Sequence, residues 1–153
     1  MLPATTERVA LNTRASANDE IQRATRERIW REVREGGDAI NRRLEELDRE
    51  WDFERVFETQ AALGSLVGLT LGATVDRRFF VIPAIIGAFL FQHALQGWCP
   101  PLPFLRRLGV RTQSEIERER YALKAIRGDF AEVPASSGRD AAPVERALEA
   151  VHL

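Results

Sequence analysis

Cysteine is scarce in this sequence, in which Cys99 stands alone. A single cysteine excludes an intrachain disulfide framework and any CxxC motif. The formal net charge is only −1, so the chain lacks the broad positive field of a nucleic-acid-binding protein, and we expect no nucleic acid among its partners. No metal site is expected either, because Cys99 and His93 cannot complete a tetrahedral set of ligands without a second copy of the chain.

Catalytic motifs are missing as well. The sequence contains no glycine-rich phosphate loop after a strand, no nucleophile triad and no recognisable carboxylate pair. We therefore assign no catalytic residue and no cofactor, and predict a protein that is not an enzyme. The N-terminal region lacks the apolar core of a signal peptide, so the first apolar helix is expected to act as an uncleaved targeting signal.

Two apolar runs dominate the middle of the chain. Residues 59–75 contain no ionised side chain, and residues 79–98 contain only His93 as a group that titrates near neutral pH. As helices these runs measure roughly 25 Å and 30 Å, close to the thickness of a hydrocarbon core. The sequence therefore predicts an all-α fold: a transmembrane two-helix hairpin over 58–110, with amphipathic cytoplasmic helices before and after it.

The connection between the two runs fixes the expected orientation. Asp76-Arg77-Arg78 is very short, so the helices must be antiparallel neighbours. The turn carries two arginines, whereas residues 40–58 carry four and residues 106–124 carry six Lys or Arg. By the positive-inside rule both termini lie in the cytoplasm, and the protein is predicted to be a multi-pass protein of the bacterial inner membrane.

The flank before the hairpin divides into two parts. Residues 1–17 are small, polar and aperiodic, and we expect them to be disordered. Residues 18–57 are predicted to form an amphipathic helical arm that continues through Trp51 into the first membrane helix. Its second helix carries a narrow apolar stripe, which suits a partner helix, a membrane surface or packing on its own neighbours; the stripe consists of Ile40, Leu44, Leu47 and Trp51.

The flank after the hairpin begins with an apolar exit segment rich in proline, which we expect to be extended. Thr112 and Glu115 then match a capping box, so an amphipathic helix is predicted over 111–128. Residues 129–153 are predicted to be a flexible tail with a short helix near 144–151.

Three glycines are spaced by four residues in the first membrane helix, at Gly64, Gly68 and Gly72. Glycines in this register form a flat groove that another helix can approach closely. Two partners stay open: the second helix of the same chain, through Ala84, Gly87 and Ala88, or a second copy of the chain in a homo-oligomer, for which we favour a dimer.

Unusual residues collect at the end of the second apolar run: Gln92, His93, Gln96 and Cys99. Polar side chains at this depth are costly against lipid, so we expect them to face a helix, a second protomer or the headgroup layer. One interpretation makes Gln92, His93 and Gln96 interhelical hydrogen-bonding residues and Cys99 a small packing residue. The other makes Cys99 a reactive thiol, whose thiolate form is favoured by Arg106 and Arg107 with help from His93.

Half of the chain resembles a known family. Residues 51–127 contain QHALQGWCPPLPFLRRLGV, with Gly97-Trp98-Cys99-Pro100 followed by Leu108-Gly109, and an ER-YALK tail. This stretch resembles the YgaP-like inner-membrane domain family, a two-helix module. The resemblance implies a bacterial membrane hairpin that pairs with itself and is fused, in some members, to a rhodanese domain. Because this chain has no rhodanese domain, sulfurtransferase activity does not carry over; only Cys99 matches the module's own cysteine.

Three functional hypotheses follow. The first is a self-associating membrane anchor or scaffold, with the lipid bilayer and cytoplasmic proteins as its partners. The second is a thiol or sulfur relay in which Cys99 accepts sulfur from a separate soluble sulfurtransferase. The third is a soluble helical protein whose hairpin is buried, a reading that the shortness of the first apolar run supports.

Overall fold

The computed structural model describes residues 3–133 and 142–152, and all the regular structure in that part of the chain is helical. The predicted all-α class is therefore confirmed. The helices are α1 (Arg8–Leu11), α2 (Ala15–Glu35), α3 (Gly37–Arg49), α4 (Phe53–Thr74), α5 (Val81–Gln96), α6 (Leu102–Arg107), α7 (Gln113–Arg127) and α8 (Ala142–His152), with a 3₁₀ turn at Arg77–Phe80 between α4 and α5.

The chain divides into two compact units. Unit 1 comprises Met1–Ala24 and Trp51–Ile116, and unit 2 comprises Thr25–Glu50 and Glu117–Leu153. The stretch 18–57, predicted as one amphipathic arm, has residues in both units, since only Thr25–Glu50 of it lies in unit 2. There the predicted continuous helix through Trp51 is interrupted: Glu50 is extended, and Asp52 caps α4 by accepting a hydrogen bond from the Arg55 backbone N–H.

The N-terminal segment of unit 1 also differs from the prediction. Residues 1–17 are expected to be disordered, yet the structure forms α1 and buries Val9 against Phe53, Phe57 and Cys99. One apolar side chain and two hydrogen-bonding side chains, Arg8 and Asn12, hold this short helix in place. These contacts join residues more than 40 positions apart, which a reading of local periodicity cannot detect.

The segment that follows α5 also differs from the prediction. The proline-rich segment predicted to be extended instead forms α6, with Pro101 at its N-cap. Proline is tolerated in the first turn of a helix because the N–H groups there have no intrahelical acceptor. The capping box that follows is confirmed: Thr112 N–H donates to Glu115 Oε2 at 2.8 Å, the Glu115 N–H meets Thr112 Oγ1 at 3.3 Å, and α7 begins at Gln113.

Unit 2 contains the narrow apolar stripe of α3. Ile40, Leu44 and Leu47 are buried, whereas Trp51, the predicted fourth member, is exposed and belongs to unit 1. On α7, Glu119 is fully buried and accepts a hydrogen bond from Arg43 Nε at 2.8 Å, with Arg28 at 3.5 Å. Of the three possibilities that the sequence left open, the stripe therefore packs on the chain's own helices.

In the C-terminal tail, α8 covers the stretch where a short helix is predicted. Residues 134–141 of the predicted flexible tail lie outside the described residues.

Candidate functional site

The two helices of the hairpin in unit 1 pack together at the glycine row of α4. A Cβ atom added to any of the three glycines would lie within 3 Å of a side chain from the 3₁₀ turn or α5; the nearest atoms are Ile86 Cδ1 for Gly64, Pro83 Cδ for Gly68 and Phe80 Cδ1 for Gly72. The groove therefore receives the second helix of the same chain. The contacting face of α5 is not the predicted small-residue face: nothing lies within 4 Å of a Cβ at Gly87, and Ala84 and Ala88 are exposed. A flat glycine groove leaves room for large side chains, so its partner face need not be small.

Outside that contact, the hairpin is apolar and exposed. The stretch Arg77–Gln96 is long and apolar enough to span a membrane, with a mean hydropathy of 1.6 and 6% of it buried, and it is the one such helix among the described residues. The helix α4 carries Glu54, Arg55 and Glu58 in its first two turns. Large apolar side chains point outward along both helices, among them Leu63, Leu66, Leu69, Val81, Ile85 and Phe91.

A buried polar cluster lies at the C-terminal end of α5. His93 Nε2 is 2.9 Å from Glu54 Oε2, and Arg8 donates to Glu54 Oε1 at 2.9 Å and to the Ala94 carbonyl at 3.1 Å. The His93 ring packs between Phe53 and Phe57, with centroids at 5.5 Å and 4.7 Å. Burial raises the pKa of Glu54, but hydrogen bonds from His93 and Arg8 outweigh it and hold this pKa below its ordinary value.

The helix α1 closes this end of α5. Asn12 Nδ2 donates to the Gln96 carbonyl at 2.7 Å, and Arg8 donates to the Ala94 carbonyl. Side chains of the N-terminal segment therefore satisfy two carbonyls in the last turn of α5. Gly97 ends α5 in the left-handed conformation, with φ of +78°, and the Arg8 backbone lies against its Cα. Any Cβ at Gly97 would come within 2.5 Å of the Arg8 carbonyl carbon and oxygen.

Cys99 is fully buried in the apolar cluster that joins α1, α4 and α6, where its neighbours are Val9, Phe53, Phe57, Leu102 and Leu105. Burial raises the pKa of the Cys99 thiol to about 11, the charge of Glu54 acts in the same direction, and a backbone hydrogen bond from Leu102 opposes them. The thiol is therefore protonated near neutral pH, which favours the packing interpretation of Cys99 over the reactive one.

The arginine that the sequence analysis placed beside the thiol is engaged elsewhere. Arg106 is 1% exposed and makes a bidentate ion pair with Glu115, with both N–O distances at 2.7 Å. It also donates to the Val110 carbonyl and to Asn18 Oδ1, each at 2.9 Å. Arg106 therefore ties α6 to α2 and to the start of α7, and its charge is matched by a carboxylate.

The sequence-predicted polar residues are thus only partly brought together. His93 is buried against α4, Gln92 is half-buried, and the Gln96 side chain is exposed. The other members of this cluster were missed: Arg8 because its segment was expected to be disordered, and Glu54 because it was counted as part of the amphipathic arm. The sequence did contain a signal for the His93–Glu54 contact. A histidine near the end of one apolar helix and a glutamate near the start of its antiparallel neighbour lie at the same end of the hairpin. Among the described residues, no three His, Cys, Asp or Glu side chains group to hold a metal ion.

Alkylation of Cys99 should be slow in the folded protein. At pH 7, an impermeant maleimide should label the native chain in mild detergent at least about 100-fold more slowly than the denatured chain, because the thiol is buried and protonated. The labelling rate as a function of pH is the measurement. Rapid native labelling with an apparent pKa below about 8.5 would contradict the burial of this thiol and restore the relay hypothesis.

The Arg106–Glu115 pair should make the stability of unit 1 sensitive to acid. Burial raises the pKa of Glu115, but the hydrogen bonds from Arg106 and Thr112 outweigh it, so the folded-state pKa lies below the ordinary 4.5. The stability contributed by this carboxylate is therefore fully present above about pH 4.5 and is lost as the pH falls through the lower folded-state pKa.

A comparison of wild type with Glu115→Gln measures this contribution. The variant should lose about 1–3 kcal/mol of unfolding free energy at pH 7, and the difference between the two proteins should shrink below pH 4. Thermal unfolding in detergent at a series of pH values measures this difference. The control is Glu58→Gln, because Glu58 is exposed, whereas Glu117 of the same helix as Glu115 is itself ion-paired. A difference that is constant from pH 7 to pH 3 would contradict the assignment.

The fold and the site define a class: a small all-helical protein in which one helix is long and apolar enough to cross a membrane and is mostly unburied. Comparison with protein-family models, with curated proteins and with solved structures finds no match for this chain. The resemblance to the YgaP-like family therefore stays a prediction.

Proposed function

We propose that this chain is an integral protein of the bacterial inner membrane, in which the α4–α5 hairpin is a membrane anchor that carries helical segments for docking on the cytoplasmic side. The observation that carries the proposal is the span Arg77–Gln96, which is apolar along its length yet only 6% buried. A core helix of a soluble protein passes the same test of hydropathy but is mostly buried, because apolar surface left in water costs about 25 cal/mol per Å².

Both helices of the hairpin are part of the proposal. The helix α4 packs on α5 through the glycine row and presents Leu63, Leu66 and Leu69 outward, and its charged residues are confined to the end that precedes residue 59. The tight turn at Asp76 then lies on the periplasmic side, and the arginine-rich flanks lie in the cytoplasm. Self-association through the glycine row is not included, because α5 of the same chain occupies that groove; a homodimer would use the outward-facing side chains.

Alkaline carbonate extraction of native membranes tests the proposal. The wild-type chain should stay in the membrane pellet. Ile85→Arg should shift a large part of the chain into the soluble or degraded fraction, because an arginine near the centre of a span costs about 2.5–3.5 kcal/mol. Arg23→Gln, an exposed change outside the hairpin, is the matched control and should stay in the pellet. Release of the wild-type chain by carbonate would instead support the hypothesis of a soluble helical protein.

The thiol relay remains the second candidate from the sequence, and no observation in the structure favours it. The full burial of Cys99 and its raised pKa argue for a packing role instead.

A further inference from the structure

A cavity of about 380 Å³ opens in unit 1, between the N-terminal end of α2 and the segment that follows α5. Its walls combine cationic, hydroxyl and apolar groups; they are Thr13, Arg14, Ser16, Ala17, Glu20, Pro100, Pro103, Phe104, Arg106 and Arg107. None of the residues of the His93–Glu54 cluster lines it, and neither does Cys99. It is therefore separate from that cluster and from the buried thiol, and it shares only Arg106 with the contacts described above.

Two of the cations at this cavity are uncommitted. Arg14 and Arg107 are exposed, and neither guanidinium group makes a hydrogen bond or an ion pair with any residue in the described ranges 3–133 and 142–152. Arg106, the third, is neutralised by Glu115, although its buried Nε has no hydrogen-bond partner among the described residues. Glu20 contributes one opposing charge, which leaves a net positive lining.

The helix α2 adds to this positive field. Its N-terminal end lies at the cavity, it is 21 residues long, and no acidic residue occupies its first turn. The unpaired N–H groups of a helix N-terminus carry roughly half a positive charge and favour an anion. The cavity thus presents two free guanidinium groups and a helix N-terminus toward one volume.

Large apolar side chains are exposed at the rim of the cavity, and a site for a small soluble anion would not require them. Phe104, which lines the cavity, and Leu108, one turn further on, are each 65% exposed. They follow within 12 residues of the end of the exposed apolar helix α5. Cationic groups beside exposed apolar side chains, at the end of a candidate span, match an amphiphile with a charged head.

We propose that this cavity binds the phosphate group of an anionic phospholipid, with Arg14 and Arg107 on the phosphate and Phe104 and Leu108 inserted among the acyl chains near the headgroup layer. The proposal rests on the proposed function, since it requires that α5 enters the bilayer and that the following segment lies at its surface. It adds a lipid specificity that a plain anchor would not have.

The test uses the full chain purified in detergent and titrated with phosphatidylglycerol, with bound lipid counted by native mass spectrometry. The wild type should retain phosphatidylglycerol at least about tenfold more tightly than phosphatidylcholine, because each well-placed cation at an anionic surface contributes about 1 kcal/mol. Arg14→Gln with Arg107→Gln should remove this preference. Glu20→Gln should tighten phosphatidylglycerol binding several-fold, because it removes the one opposing charge.

Matched controls separate a site from general charge. Arg23→Gln removes the same charge from the exposed surface of α2 away from the cavity and should leave the preference unchanged. Equal loss with Arg23→Gln would overturn the proposal, because it would show a delocalised charge effect. Displacement of phosphatidylglycerol by an equal concentration of inorganic phosphate would also overturn it, because the cavity would then be a site for free phosphate.

Failure of this inference is distinct from failure of the proposed function. A chain that resists carbonate extraction but shows no preference for phosphatidylglycerol remains a membrane anchor without this lipid site. A chain released by carbonate has no bilayer to supply the lipid, and the proposed function fails with it.

Discussion

Replacing Gly68 with leucine should break the packing between α4 and α5. A Cβ at Gly68 would lie 2.7 Å from Pro83 Cδ and 2.9 Å from Ile82 Cβ, so the added side chain cannot fit unless the helices separate. Overpacking of this kind costs about 1–3 kcal/mol, and more where the neighbours cannot move. The expected result is a lower unfolding midpoint in detergent and faster proteolysis of the hairpin.

The matched control for this prediction is Gly87→Leu. Gly87 is also a helical glycine in the hairpin, but nothing lies within 4 Å of a Cβ built on it. This variant should be neutral or slightly stabilising, because leucine has the better helix propensity by up to about 1 kcal/mol. If Gly87→Leu destabilises the chain and Gly68→Leu does not, then α4 and α5 do not pack closely at Gly68, and the close helix contact lies at Gly87 instead.

Replacing Gly97 with alanine should detach α1 from the end of α5. Alanine at this position meets two separate penalties: a left-handed φ of +78°, which costs about 1–2 kcal/mol, and a Cβ within 2.5 Å of the Arg8 backbone. Because the clash is with backbone, no side-chain rotation relieves it. The expected result is exposure of the cluster beneath α1, seen as a rise of at least about tenfold in the alkylation rate of Cys99.

Gly109→Ala isolates the backbone penalty from the clash. Gly109 has a similar φ of +82°, and nothing lies within 4 Å of its Cβ position. It should show the conformational cost alone and leave the alkylation of Cys99 close to the wild-type rate. Equal labelling rates in the two variants would contradict the docking of α1 over the buried thiol.

The sequence was informative where local pattern decides the structure. The charge-free runs located α4 and α5, the Thr112–Glu115 capping box located the start of α7, and the spacing of Ile40, Leu44 and Leu47 gave the buried face of α3. Each of these features is set by residues that are close together along the chain, so a run, a period or a cap is enough to find it.

The sequence was uninformative where distant residues decide the structure. Disorder was expected over 1–17 because the segment is polar, but Arg8, Val9 and Asn12 find their partners more than 40 positions away. The same holds for Arg106, which was placed beside the Cys99 thiol and is instead buried with Glu115 and Asn18. The burial of Cys99, which raises its pKa, depends on the same kind of long-range packing, because Val9, Phe53 and Phe57 cover it.

The central proposal is that the α4–α5 hairpin crosses the bilayer twice. The most direct measurement is labelling by an impermeant maleimide of single cysteines in a Cys99→Ala background, at the exposed turn position Val75→Cys and at the exposed α3 position Glu45→Cys. The account predicts that Val75→Cys is labelled only in right-side-out vesicles and Glu45→Cys only in inside-out vesicles. Labelling of both positions from the same side of the sealed membrane would contradict a spanning hairpin.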